Sequence, residues 1–166
     1  MGYTIIIGEA MIDVYEDSTS LDITAETVEL ADAPDFPNDV NPRKNVRWPG
    51  YCTWHDFCEE VGLFDLFYDD EEGLIRPHPG VRRLTQDHAD AIAQALARYP
   101  RSKPPGFLGI DAFHELSARA PKLSDASEAF FAAHSPYDST LARLLWLDWW
   151  VRWALAECTI PVFVNH

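Results

Sequence analysis

The chain has 166 residues, with 13 Lys plus Arg against 27 Asp plus Glu, so its formal charge at pH 7 is −14. That length is ordinary for one domain, and 47% hydrophobic with 13% aromatic residues supply enough apolar surface for a packed core, which excludes a wholly disordered chain. The acidic balance repels phosphate at long range, so direct nucleic-acid binding and attraction to an anionic membrane are disfavoured while a basic protein partner is favoured.

The first 42 residues contain ten carboxylates and no Lys or Arg, a local charge of −10. Within them, Tyr3 to Ile7, Met11 to Tyr15 and Leu21 to Leu30 are apolar or alternating runs, and the reading is two or three antiparallel strands over residues 1–31. Alternation sends successive side chains to opposite faces, so the acids are expected largely on the solvent side. Residues 32–50 form a loop, because Pro34, Pro37, Pro42 and Pro49 remove ladder donors and block helices. Residues 51–166 read as mainly helical.

Thr53 is the expected N-cap of a helix over about 54–63, with an aromatic turn at Phe64 to Tyr68 behind it. Thr85 caps an amphipathic helix from Gln86 to Tyr99, which Pro100 ends, and shorter helices are expected at 107–118 and 124–133, the second capped by Ser124. The segment from Ser139 to Cys158 is the strongest. On a helical wheel Leu141, Leu144, Leu145, Val151 and Leu155 share one face and Trp146, Trp149 and Trp153 a second, leaving only Arg143, Trp150 and Glu157 for solvent. A helix apolar over most of its circumference is a central one, and the four charges in this segment argue against a membrane span. No run of about 18 uncharged apolar residues occurs elsewhere, and no basic region precedes the first apolar stretch. The expectation is a soluble protein of the cytoplasm. Its architecture is a single α+β domain, an N-terminal antiparallel sheet packed on a helical layer around the Trp-rich helix.

Asp148 and Arg152 lie one turn apart in the middle of the leucine face of that helix. A carboxylate and a guanidinium in an apolar interior must pair or bind something, so they are candidate binding residues; as a buried pair, loss of Asp148 would cost about 3 to 5 kcal/mol. Trp48, Tyr51 and Trp54, around Pro49 and Gly50, are further binding candidates, since aromatic residues at a loop end either anchor it or form a hot spot.

Cys52, His55 and Cys58 resemble half a zinc site but lack the second pair of ligands, so no metal and no cofactor is expected. Asp69 to Glu72 lack the spacing of a calcium loop and read as a solvated turn. No nucleophile elbow, phosphate loop or dinucleotide fingerprint is present, and the six histidines occupy unrelated contexts. Catalytic residues are therefore not assigned.

Taken together, YTIIIGEA at 3–10, FPND at 36–39, WHDF at 54–57, GLFDLFYDD at 62–70, HPG at 78–80 and LARLLWLDWWVRWALAEC at 141–158 resemble an uncharacterised family of small acidic bacteriophage and prophage proteins. The resemblance implies a phage origin and transfers no activity. The leading expectation is a non-catalytic accessory factor that binds protein through its acidic N-terminal region or the loop after it, one form being an inhibitor of a host nucleic-acid-binding or defence protein. The competing expectation is a small enzyme or ligand-binding protein with a pocket near Asp148 and Arg152.

Overall fold

The computed structural model describes residues 1–14, 21–122 and 124–166. The expected strand end at Tyr15 and the capping side chain of Ser124 lie outside the described residues and side chains. Strand β1 (Ile5–Val14) is one continuous strand through Gly8, where the sequence reading divided it into two runs. Its distal half pairs antiparallel with β2 (Leu21–Ala25), and its first half with β5 (Pro161–Asn165) on one side and β3 (Val46–Arg47) on the other. Strand β4 (Gly80–Arg83) closes the order β2-β1-β5-β4 on the far side of β5. The α+β architecture with an antiparallel sheet is as expected, but among the described residues three of the five strands come from beyond residue 31, where the reading had a loop and a mainly helical remainder.

The sheet buries both faces. Ile5, Ile7 and Phe163 join the main core, while Ile6, Val46, Val162, Val164 and Ala25 form a second cluster on the opposite face. Strict alternation along β1 and β5 produces this division, because neighbours in a strand point to opposite sides. The sheet curls so that β2 comes back against β4 and β5 and helps to cover the second cluster. Further out neither face of the ribbon is wholly polar, since Met11 on one face and the paired Ile12 and Ile23 on the other are exposed.

Helices α1 (Tyr51–Glu60) and α2 (Phe64–Tyr68) contribute Trp54, Phe57, Cys58 and Phe67 to the main core. The N-cap of α1 is Gly50, so Thr53 lies inside the helix instead of capping it. Helix α3 (Gln86–Arg98) packs on α6 (Ser139–Glu157), and α4 (Ile110–Arg119) and α5 (Ser124–His134) touch through the stacked rings of Phe113 and Phe131. Helix α6 is capped by the Asp138 carboxylate, which accepts from Leu141 N–H at 2.8 Å. It is central as expected, packing on α3, β1 and β5. Of the residues assigned to solvent on the wheel, Trp150 is fully buried and Arg143 is only partly exposed, and burial pulls the Arg143 pKa below its ordinary value.

Thr85 begins α3 with a capping box in which His88 takes the place of the usual Glu or Gln: the Thr85 N–H donates to His88 Nδ1 at 3.0 Å. An accepting Nδ1 requires the neutral ring, and burial lowers the pKa of His88, against the opposing pull of Asp87 and Glu72. Unfolded His88 therefore binds a proton first, so the stability from this cap is intact above about pH 6.5 and is lost as pH falls toward the lowered folded value. A His88→Gln variant should lose less stability than wild type between about pH 8 and about pH 5, measured by thermal melts. Parallel curves for the two proteins would contradict the assignment.

Candidate functional site

The Pro-rich loop is ordered by its polar residues. The Asn45 side chain, fully buried, accepts from Val28 N–H at 2.8 Å and donates to the carbonyls of Ile7 and Glu26 at 2.9 and 2.7 Å. Phe107 N–H donates to the Pro37 carbonyl, Asn38 donates back to the Phe107 carbonyl, and Trp146 Nε1–H on α6 donates to the Lys44 carbonyl at 2.8 Å. The loop is thereby tied to both the sheet and the central helix.

Several acids of the first 42 residues are engaged by bases that follow them. Asp35 meets Arg43 at 3.1 Å, Glu29 meets Lys44 at 3.8 Å, and Asp39, its side chain wholly buried, holds Arg47 through two contacts of 2.5 and 2.7 Å. Glu9 accepts from the N–H groups of Thr159 and Ile160 at the turn into β5. Part of the N-terminal charge is therefore spent on internal docking.

Where the loop crosses α6 it leaves a pocket of about 190 Å³. Trp54, Phe107 and Trp146 form aromatic walls, Asn41 and Pro49 complete the loop side, and Val40 and Trp48, both strongly exposed, stand at the surface. Arg47 and Arg143 are the charged lining residues, and no carboxylate lines the pocket among the described residues. Both guanidinium groups approach the Phe107 ring, at 5.6 and 5.7 Å from its centroid, and Arg47 also lies 5.1 Å from that of Trp146.

The two cations differ in how they are satisfied. Arg47 has Asp39, although its Nε is buried without a hydrogen-bond partner among the described residues, as is Trp54 Nε1. Arg143 donates only to Ser139 Oγ at 3.3 Å, and no carboxylate lies within ion-pair distance of it among the described residues. Burial first, then the neighbouring Arg47 cation, lowers its pKa, while Glu60 and Asp138 act the other way. Those two acids are engaged elsewhere, Glu60 by Tyr99 and Thr140 and Asp138 by Tyr99 and Leu141 N–H. A guanidinium does not lose its proton, so Arg143 is a partly buried cation short of acceptors.

Of the residues singled out in the sequence, Trp48 and Trp54 meet in this pocket. Tyr51 lies in a separate cluster, edge-on to Tyr3 and His78, with its hydroxyl 3.2 Å from His78 Nε2. There the buried Asn165 amide donates to the carbonyls of Leu74, Pro77 and Gly80, so its Oδ1 accepts from His78 Nδ1 at 2.6 Å and fixes the ring. Asp148 and Arg152 do pair, but only the carboxylate is buried; the Arg152 side chain is 63% exposed, and neither residue lines the pocket. Arg47, Phe107 and Arg143 went unread in the sequence. The one available signal was an arginine between Leu141 and Trp146 on a helix apolar on nearly every side.

Cys52, His55 and Cys58 all lie on α1, with Cys52 exposed and Cys58 buried, and burial raises the Cys58 thiol pKa. The Cys158 thiol is pushed up to about 11 by burial, then by Glu9 and Glu157. His55 instead faces Asp56 and Glu59 at 3.5 and 3.7 Å in a solvated cluster. Asp69 closes the acidic turn by accepting from Glu71 and Glu72 N–H, which lowers its pKa. No helix among the described residues is long and apolar enough to cross a membrane. Comparison with protein-family models, with curated proteins and with solved structures returns no match.

Proposed function

We propose that the protein works by binding and not by catalysis, as a phage or prophage accessory factor in the bacterial cytoplasm that holds a partner protein through the loop following its acidic N-terminal strands. The observation carrying this reading is the sign of the pocket: among the described residues two guanidinium groups and no carboxylate line a cavity in a protein of net charge −14. Such a cavity takes an anionic group, and the exposed Trp48 and Val40 at the surface offer apolar area to whatever carries it. Catalysis lacks comparable support, since burial opposes the thiolate at Cys58 and the rings of His78 and His88 are committed to Asn165 and to a helix cap. A pocket centred on Asp148 and Arg152 gains nothing from a pair whose guanidinium stands in solvent.

Trp48, Trp54 and Trp146 supply a reporter, because ligand entry changes their fluorescence. A short peptide blocked at both ends with a central Glu should quench it in the wild type and have no effect on an Arg143→Gln variant, and the same peptide with Gln should be inert in both. Equal responses to the Glu and Gln peptides, or an undiminished response in the variant, would count against the reading.

A further inference from the structure

We infer that the group taken by the pocket is the free C-terminal carboxylate of a basic partner chain whose last side chain is flat and apolar, an inference that rests on the binding reading above. Four observations converge on it. The first is charge matching: Asp39 neutralises one of the two lining cations, so the site is left with a single positive charge, that of Arg143. A monoanionic carboxylate balances that charge, whereas a phosphate dianion would leave an uncompensated negative charge in a partly desolvated site.

The second is the field outside. A protein of charge −14 repels a free anion at long range, and attracts a carboxylate only when that carboxylate rides on a positively charged body. The end of a basic chain meets both conditions. Its many cations answer the long-range field, and its one terminal anion answers the local reversal of sign.

The third is size and wall chemistry. About 190 Å³ is slightly more than the roughly 150 Å³ that accommodates a benzene ring in an apolar protein cavity. The walls are Trp54, Phe107 and Trp146, so a ring attached to the carboxylate would find aromatic faces on several sides. The fourth is shape. An internal residue must have chain entering and leaving beside it, whereas a terminal residue can enter whole, with the preceding residues running out across Trp48 and Val40.

The test uses lysine-rich peptides ending in Phe, as the free acid and as the C-terminal amide, beside the blocked Glu peptide and inorganic phosphate. Affinities are read from tryptophan fluorescence of the full chain and of the Arg143→Gln variant. The free acid should bind at least about tenfold more tightly than the amide and than the blocked Glu peptide, and the variant should abolish the difference. Added salt should weaken acid and amide alike through the screened outer field, leaving their ratio nearly unchanged. An amide that binds as well as the acid, or phosphate that competes as well as the acid, overturns the inference. If the blocked Glu peptide binds through Arg143 and the free acid binds no better, the terminal-carboxylate inference falls and the binding reading stands. If no carboxylate produces an Arg143-dependent response, both fall.

Discussion

Replacing Asn45 with Ala should destabilise the protein by about 3 to 5 kcal/mol, read as a lower denaturant midpoint with an unchanged slope. The side chain is fully buried and serves three backbone groups, the Val28 N–H and the carbonyls of Ile7 and Glu26. Alanine would strand all three, and each buried polar group left unpaired costs about 1 to 3 kcal/mol. Asn45→Asp should be no milder, because a carboxylate accepts but cannot donate, and it would bring a charge into the sheet. The same contact explains Gly8: a Cβ there would stand 3.1 Å from Asn45 Nδ2 and 3.3 Å from the Glu26 carbonyl oxygen, so glycine is what lets the amide reach across β1. A variant within about 1 kcal/mol of wild type would show that the loop is held mainly by its other ties, such as the Trp146 bond to Lys44.

Asn45 also marks the boundary of what the sequence could disclose. Helices α3 and α6 were legible because their determinants are local: apolar spacing, Thr85 before α3, Pro100 after it, and leucine and tryptophan on nearly every side of α6. Strand β5 went unread, although Val162, Phe163 and Val164 form a short apolar run with β-branched ends of the kind a fully buried strand uses. In NPRKNVRW nothing local separates Asn45 from Asn41 and Lys44 beside it. Its role comes from the sheet on which the loop folds.

The pocket illustrates the same division. Trp48 and Trp54 were visible as an aromatic cluster, but Arg47 owes its place to Asp39, and Phe107 and Arg143 arrive from distant segments. A helical wheel describes sides of a cylinder and not what lies against them. It gave Arg143 and Trp150 to solvent, yet the loop and α1 both reach toward α6 at the Arg143 and Trp146 wall. The rule applied to Asp148 and Arg152, that a charge among apolar residues demands an explanation, fitted Asp148 and also Arg143, but not Arg152, whose guanidinium stands in solvent.

That pair supports the last prediction, in which the two halves should behave unequally. The sequence reading put both charges in the interior and gave loss of Asp148 a cost of about 3 to 5 kcal/mol. In the structure the Asp148 side chain is 4% exposed and the Arg152 side chain 63% exposed, so the two removals leave different remainders. Asp148→Asn leaves a guanidinium already in water and takes away a buried carboxylate whose Oδ1 has no partner among the described residues, so its cost should stay within about 1 kcal/mol. Arg152→Ala leaves that carboxylate without its cation, and should cost about 3 kcal/mol. The double variant should be more stable than Arg152→Ala alone, because the amide needs no counter-ion. Urea unfolding of the four proteins at neutral pH supplies the comparison. If Asp148→Asn proves the costlier single change, the carboxylate is being held by something other than Arg152.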